Sequence, residues 1–253
     1  KLAAAQFYSD AFYNLGIIYY ENKYVKRDIN KSIQYFKEAA NLHDPQAQFK
    51  LGVIFYEGLY VVTDINKSIH YLKQASDQNY LKAHYNLGLI YYLGIKIKKD
   101  INKAIYFFIR GSEQNDLHSQ YMLGCIYSDK SLDCFDITKA IYYLNQSANK
   151  NDCKAQYKLA VFYSNGKYLA TDINKALNYL QLAANQNNKF AQFDLGVYYL
   201  KRNIDKGIYY LQQSSENGFT QASFVLGFLY HKGELVNQDI KKSIEYYKLA
   251  SSF

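Results

Sequence analysis

Tryptophan is absent from this chain of 253 residues, and proline and methionine occur once each. With Pro45 the only proline, no proline interrupts the helical patterns that fill the chain. The three cysteines, Cys125, Cys134 and Cys153, are odd in number and share no spacing, which excludes a regular disulfide framework. This usage favours a reducing compartment. We therefore expect a cytoplasmic location, with the endoplasmic reticulum lumen and secretion left open.

Motifs for catalysis and metal binding are also missing. The chain has no His-Glu-x-x-His, no Cys-x-x-Cys and no glycine-rich phosphate loop, and its five histidines have no metal-ligand spacing. We predict that the chain is not an enzyme and has no catalytic residue, cofactor or metal ion.

The most informative feature that is present is a repeated Leu-Gly step. It occurs seven times, as Leu-Ala in the fifth copy; the first five steps are each 36 residues long and the last is 31. A phrase related to Asp-Ile-Asn-Lys follows each copy. A fixed period of this size marks an array of stacked structural repeats. Seven similar copies also argue against a single reaction centre, which needs unlike residues to converge.

Each repeat has the pattern of two antiparallel helices, A and B. In residues 47–78, apolar residues recur at spacings of three and four in two stretches separated by a short loop. Gly58 is a plausible left-handed stop for helix A, and Asp64 is placed to cap the N-terminus of helix B. The Leu-Gly glycine falls inside helix A, and Ala160 replaces it once. We therefore predict that this position needs a small residue because helix B comes close, and not a positive φ.

Several columns together resemble the Sel-1-like repeat, a relative of the tetratricopeptide repeat. The resemblance covers the whole chain and is seen, for example, in AQFKLGVIFYEG followed by DINKSIHYLKQAS. It implies an all-α fold, a right-handed α-solenoid (superhelix) of about seven helix-turn-helix repeats of 36 residues. We expect one array over 1–253, a fragment of a longer protein that opens with the remnant of a preceding helix B at 1–10. The predicted repeats lie near 11–46, 47–82, 83–118, 119–154, 155–190, 191–221 and 222–253.

The resemblance also implies that helix A lines the concave face of the solenoid. On a helical wheel, the columns that vary between repeats fall together on one side of helix A, and one of them is mostly apolar. We expect this side to bind a partner, although the apolar column is equally consistent with packing between neighbouring A helices. The predicted partner-binding residues are Lys50, Val53, Glu57, Asn86, Leu89, Met122, Cys125, Lys158, Val161, Asp194, Val197 and Lys201.

The function that follows is a non-enzymatic scaffold or adaptor that binds a protein or an extended peptide of unknown identity. The alternative is a nucleic-acid-binding repeat protein, because the net charge is +8 and part of the excess lies in two basic loops, 23–27 and 96–99. A solvated loop edge explains those lysines more simply, so nucleic acid is the less favoured partner. A hydrolase of small molecules has weak family precedent, and no residue here can be named for it.

Overall fold

The computed structural model describes residues 2–251, with side chains from residue 7 onward, and in that range it has fourteen α-helices and no strand. The odd-numbered helices are A helices and the even-numbered ones are B helices, so the chain is the all-α solenoid of seven helix-turn-helix repeats that was predicted. The helices are α1 Leu2–Glu21, α2 Ile29–Asn41, α3 Pro45–Glu57, α4 Ile65–Asp77, α5 Leu81–Leu93, α6 Ile101–Glu113, α7 Leu117–Tyr127, α8 Ile137–Asn149, α9 Cys153–Asn165, α10 Ile173–Ala184, α11 Lys189–Leu200, α12 Ile204–Glu216, α13 Thr220–Lys232 and α14 Ile240–Ser251.

The chain divides into two compact units, residues 1–119 and 120–253, with the division inside α7. The core of the first unit includes the buried residues Phe36, Ala39 and Leu51. That of the second includes Leu159 and Leu195. The prediction of one array over the whole chain stays a prediction.

Helix α1, with 20 residues, is the longest of the helices that the structure describes. It runs from Leu2 to Glu21. The suggestion from the sequence that 1–10 is the end of a preceding helix B stays a prediction. That suggestion also rests on residue 1 and on the side chains of residues 2–6, which lie outside the described part of the chain.

The predicted N-caps of the B helices are confirmed. In α4, the Asp64 carboxylate accepts a hydrogen bond from the backbone N–H of Lys67 at 3.0 Å, and Asp28 does the same for Lys31. Asn203 provides the cap of α12 with its side-chain oxygen. The equivalent bond occurs at the start of each B helix because a carboxylate or amide oxygen at this position satisfies a free backbone donor.

The turn from each B helix to the next A helix has one residue in the left-handed region. Asn and His tolerate this region better than most residues, and Gly enters it without strain. This column was not predicted from the sequence. Its members and their φ angles are His43 (62°), Asn79 (59°), Asn115 (64°), Asn151 (66°), Asn187 (61°) and Gly218 (77°).

The Leu-Gly glycine lies where helix A meets helix B. A Cβ on Gly88 would approach the ring of Phe108 to 2.5 Å, and one on Gly52 would approach the Leu72 side chain to 2.6 Å. Neither glycine has a positive φ. The position therefore requires a small residue, as predicted, and Ala160 occupies it in the fifth repeat with only 1% of its surface exposed.

Each A helix also contacts its B helix through a stacked pair of aromatic rings. The ring centroids are 5.7–6.0 Å apart and the ring planes lie within 17° of each other. A lysine from the start of the B helix lies over the A-helix ring at 4.0–5.5 Å in every repeat. The pairs are Tyr19–Tyr35, Phe55–Tyr71, Tyr91–Phe107, Tyr127–Tyr143, Tyr163–Tyr179, Tyr199–Tyr210 and Tyr230–Tyr246.

The same lysines form ion pairs with the capping aspartates. Six such pairs have Nζ–O distances from 2.8 Å (Lys67–Asp64) to 3.8 Å (Lys242–Asp239). In the sixth repeat the cap is Asn203, which has no charge, and Lys206 lies closest of all to its ring, at 4.0 Å from Tyr199. Much of the regularly spaced charge is therefore balanced within the repeats.

The sixth repeat is shorter because its loop between helices is shorter. In other repeats the N–H of the cap donates to the carbonyl of the stacked A-helix aromatic across a longer loop, as Asp172 does to Tyr163 at 3.0 Å. In the short loop Asn203 donates to Tyr199 at 2.7 Å. The deletion removes loop residues but keeps this closing bond, so both helices persist.

Candidate functional site

The twelve predicted binding residues lie on one side of the A helices. Eleven are in α3, α5, α7, α9 and α11, and Lys201 is the C-terminal cap of α11. Most residues of the first column are half-buried, whereas those of the third column are exposed. The three columns, called here the A-helix face, are Asn14, Lys50, Asn86, Met122, Lys158, Asp194 and Val225; Ile17, Val53, Leu89, Cys125, Val161, Val197 and Phe228; and Glu21, Glu57, Leu93, Asp129, Asn165, Lys201 and Lys232.

The apolar column of this face is neither core nor free surface. Val53, Leu89 and Val161 are half-buried, whereas Val197 and Phe228 have 42% and 44% of their surface exposed. These side chains pack on one flank and reach solvent on the other. Both interpretations of the column are therefore compatible with its burial, and partner binding there stays a prediction.

A cavity of about 760 Å³ opens on this face in the second unit, between α7, α9 and the start of α11. We call it the lysine-rimmed cavity, because three lysines and no acidic residue line it. Its size is in the range of ligand-binding pockets. The lining residues are Tyr121, Cys153, Lys154, Tyr157, Lys158, Val161, Phe162, Asn187, Asn188, Lys189 and Phe190.

A second cavity of about 370 Å³, called here the Val197 cavity, adjoins the first and shares Val161 with it. It lies between α9, α10 and α11, and its walls include Leu177, Asp194 and Val197. Four of the predicted residues, Lys158, Val161, Asp194 and Val197, thus line cavities.

One hydrogen bond fixes the geometry at the boundary of the two cavities. The Tyr157 hydroxyl donates to the Asp194 carboxylate, and the Tyr157 ring stacks on Phe190 with centroids 5.8 Å apart. Burial raises the pKa of Asp194, and the bond from Tyr157 partly offsets this effect. Burial also raises the pKa of Tyr157, with a further contribution from Asp194. The pair therefore holds Tyr157 protonated and in one orientation, with its ring against the lysine-rimmed cavity.

Several residues of the lysine-rimmed cavity were not predicted from the sequence. Lys154 and Lys158 are four residues apart on α9, a spacing that places them on the same side of a helix and was available from the sequence. Lys189 and Phe190 come from the next repeat, and only the packing of α11 against α9 brings them to the same cavity.

In the first unit, the predicted residues make local contacts. The Lys50 ammonium lies 4.4 Å from the centre of the Tyr20 ring. Burial raises the pKa of Tyr20, and the negative charge of Glu57 raises it further, which places Glu57 close to the same ring. Asn86 donates to the carbonyl of Lys82 one turn earlier in α5.

The basic loops that suggested nucleic acid are partly occupied by internal contacts. The Arg27 guanidinium lies over the Tyr60 ring at 4.6 Å and donates to the Tyr20 carbonyl. Lys96 donates to the carbonyl of Tyr56 and lies over its ring. These cations stabilise loops against the neighbouring repeat, which leaves fewer of them for a phosphate backbone.

Within the described residues, no three His, Cys, Asp or Glu side chains are grouped in a way that suits a metal ion. The three cysteine thiols are free. None of the described helices has the length and apolar character needed to cross a bilayer.

Comparison with solved structures gives several similar folds. A protective antigen from uropathogenic Escherichia coli, described as displaying an SLR fold, is 28% identical, with a TM-score of 0.85 over 98% of this chain. This chain spans 55% of the length of that protein. A Sel1 repeat protein from Oxalobacter formigenes is 24% identical, with a TM-score of 0.83, over 96% of this chain and 72% of that one. An immunity protein from Pseudomonas aeruginosa is 21% identical, with a TM-score of 0.53, over 82% of this chain and 81% of that one.

No curated protein sequence matches the chain significantly. The family model for the Sel1 repeat matches seven consecutive segments, in a frame that begins two residues before the predicted one. They are residues 9–44, 45–80, 81–116, 117–152, 153–188, 189–219 and 220–252. With nearly the whole length matched and the helices in the expected order, the chain belongs to the Sel1 repeat family.

Proposed function

We propose that the chain is a non-enzymatic interaction scaffold that holds a peptide or a partner-protein segment along its A-helix face. One observation carries this proposal: two of the columns that differ between repeats contribute Lys158, Val161, Asp194 and Val197 to the walls of the two adjoining cavities of the second unit. Sel1 repeats are typically protein-interaction scaffolds, which agrees with this role.

The different structural roles of the columns support the proposal. Residues that repeat without much change form the caps, the aromatic stacks and the contacts between helices A and B, as for Asp64, Phe55 and Gly52. The A-helix face differs more from repeat to repeat, and it combines partly exposed apolar side chains with charges. Such a surface suits an extended peptide or an amphipathic helix.

The proposal is tested with peptides selected from a phage-displayed random library on the immobilised chain. The variant Val161→Asp with Val197→Asp places two carboxylates in the apolar column. We expect at least about a tenfold loss of affinity for the selected peptides, equivalent to about 1.4 kcal/mol, with nearly unchanged helicity by circular dichroism.

The matched control is Leu182→Asp with Ile244→Asp, on B helices. Leu182 is 41% exposed and Ile244 49% exposed, close to Val197 at 42%, and neither lines the two cavities of the A-helix face. The control should keep the affinity of the wild type. Equal loss in both variants, or unfolding of the Val161/Val197 variant, would show that the column is not a binding surface.

A further inference from the structure

The rim of the lysine-rimmed cavity has an unbalanced positive charge. Lys154 is exposed and Lys158 is half-buried, and neither forms a salt bridge within the described residues. The Lys189 ammonium donates to the Gly218 carbonyl at 3.2 Å, a bond to a neutral group that leaves its charge uncompensated. This arrangement differs from the capping lysines, most of which have an aspartate partner.

The interior of the cavity is apolar and held in place by its own contacts. Phe162 is only 5% exposed and forms the floor, whereas Phe190 is 43% exposed and forms a wall. The rings of Tyr157 and Phe190 stack on each other, and Phe162 packs against Tyr168 with centroids 5.0 Å apart. The hydroxyl of Tyr157 is bound to Asp194, so the ring offers its apolar surface to the cavity.

From this chemistry we propose that the lysine-rimmed cavity selects a partner peptide in which a bulky apolar side chain is flanked by acidic residues. The inference rests on the proposed function and adds the chemical class of the partner. Transfer of the apolar side chain from water to the floor and wall of the cavity contributes the favourable free energy of binding. The flanking carboxylates meet Lys154, Lys158 and Lys189 at the rim, where charge complementarity gives selectivity.

The neighbouring Val197 cavity gives the peptide a direction. Its walls contain Asp194 and no lysine, so the sign of the lining charge changes from one cavity to the next. The acidic part of the peptide is therefore placed at the lysine-rimmed cavity, and an uncharged apolar continuation follows toward Val197.

Nucleic acid fits this cavity less well. Single-stranded binding uses aromatic faces on which bases stack, but one face of Tyr157 and one face of Phe190 are already stacked on each other. Phe162 is buried at the floor, and its surface is reached by a side chain that enters the cavity.

The test measures the binding of fluorescein-labelled peptides to the whole chain by fluorescence anisotropy. The first peptide alternates Glu and Asp with Phe and Leu; the second replaces every acid by Lys; the third keeps the acids and replaces Phe and Leu by Ala. Labelled oligo-dT is the fourth probe. We expect the acidic apolar peptide to bind at least about tenfold more tightly than the other peptides and the oligonucleotide.

The variant Lys154→Glu with Lys158→Glu reverses the rim charge and should lower the affinity for the acidic apolar peptide by about tenfold. The change at Lys154 is compatible with α9 because this residue lies in the first turn, where an acidic residue is favourable. At Lys158, inside the helix, glutamate has about the same helix propensity as lysine. The control variant Lys241→Glu with Lys248→Glu makes the same change in net charge on exposed positions of α14. It should change the affinity less than about twofold, because it leaves the local field at the rim unchanged.

Three results would overturn the inference: equal binding of the acidic and basic peptides, equal loss in the rim and control variants, or oligo-dT binding that depends on Lys154 and Lys158. Each of these leaves the proposed function standing if library-selected peptides still require Val161 and Val197. Loss of the Val161/Val197 dependence, in contrast, removes the proposed function itself.

Discussion

The second and third repeats of the first unit reach the same backbone geometry with different side chains. In the second repeat, Asp44 caps α3 by accepting from two backbone N–H groups, and the Gln48 side chain donates to the Ala40 carbonyl. In the third, Tyr80 precedes α5 and makes no side-chain capping bond. His84 replaces the glutamine, bonding through Nδ1 to Ser76 Oγ at 2.8 Å.

The turns before the two helices are nevertheless alike, with φ of 62° at His43 and 59° at Asn79. Tyr80 replaces the capping bond with a ring contact to Phe49 at 5.3 Å. His84 leaves its Nε2 buried without a hydrogen-bond partner. The repeat therefore requires a backbone path and a packing volume, while the polar partners around that path can be exchanged.

The largest loss of stability should come from filling the space beside the helix A glycine, which both repeats keep small. Gly88→Leu and Gly52→Leu should each lower the free energy of unfolding by about 3 kcal/mol or more, because even a Cβ meets Phe108 or Leu72 below 3 Å. Urea unfolding followed by circular dichroism measures this loss. The control is Ala160→Gly, which restores the common residue in the fifth repeat and should cost about 1 kcal/mol at most. A tolerated leucine in either repeat would show that helix A does not need a small residue there.

The second prediction concerns the pH dependence of stability, which His84 of the third repeat should influence. Burial lowers the pKa of His84 to about 4 from 6.5. The unfolded chain therefore takes up a proton between these values that the folded chain resists, so stability falls as pH decreases from about 6.5 to about 4. The total loss is about 3 kcal/mol, from about 1.4 kcal/mol per pKa unit.

His84→Gln should remove this acid dependence, because Gln48 in the second repeat donates to a carbonyl at the matching position. Urea midpoints near pH 7 and pH 4 measure it. The exposed His70→Gln is the control and should keep the dependence. If the urea midpoints of wild type and His84→Gln change by the same amount between pH 7 and pH 4, His84 is not the titrating group.

The smallest effect concerns a serine that the third repeat lacks. Ser68 is buried with no partner for its hydroxyl, and the third repeat has Ala104 there. Ser68→Ala should leave the free energy of unfolding unchanged or slightly raised, whereas Ser32→Ala should lower it by about 1 kcal/mol. The reason is that Ser32 donates to the Gly16 carbonyl at 2.8 Å. A larger loss for Ser68→Ala than for Ser32→Ala would contradict this assignment.

The sequence was sufficient for the repeated part of the fold. The helix pairs, the Asp64-type caps and the need for a small residue at Gly52 follow from short-range patterns, and the structure confirms them. The left-handed turn column was missed because Asn is frequent throughout the chain, so its recurrence before each A helix did not stand out. A search for Asn, His or Gly at the repeat spacing would have found it.

The candidate site was only partly predictable. Lys158 and Val161 were identified because their columns vary on one side of helix A. Lys189 and Phe190 were not, because they join the cavity only through the distance between α9 and α11, which no spacing within one repeat encodes.

The stacked pair of rings in each repeat also bears on how the chain is made. Both rings, such as Tyr91 and Phe107, and the lysine over them belong to a single helical hairpin. Contacts between residues near in sequence form quickly, and synthesis at a few residues per second exposes one hairpin at a time. A nascent chain can thus close each hairpin on the ribosome before the following one emerges. Little apolar surface then stays exposed until a segment distant in sequence is made.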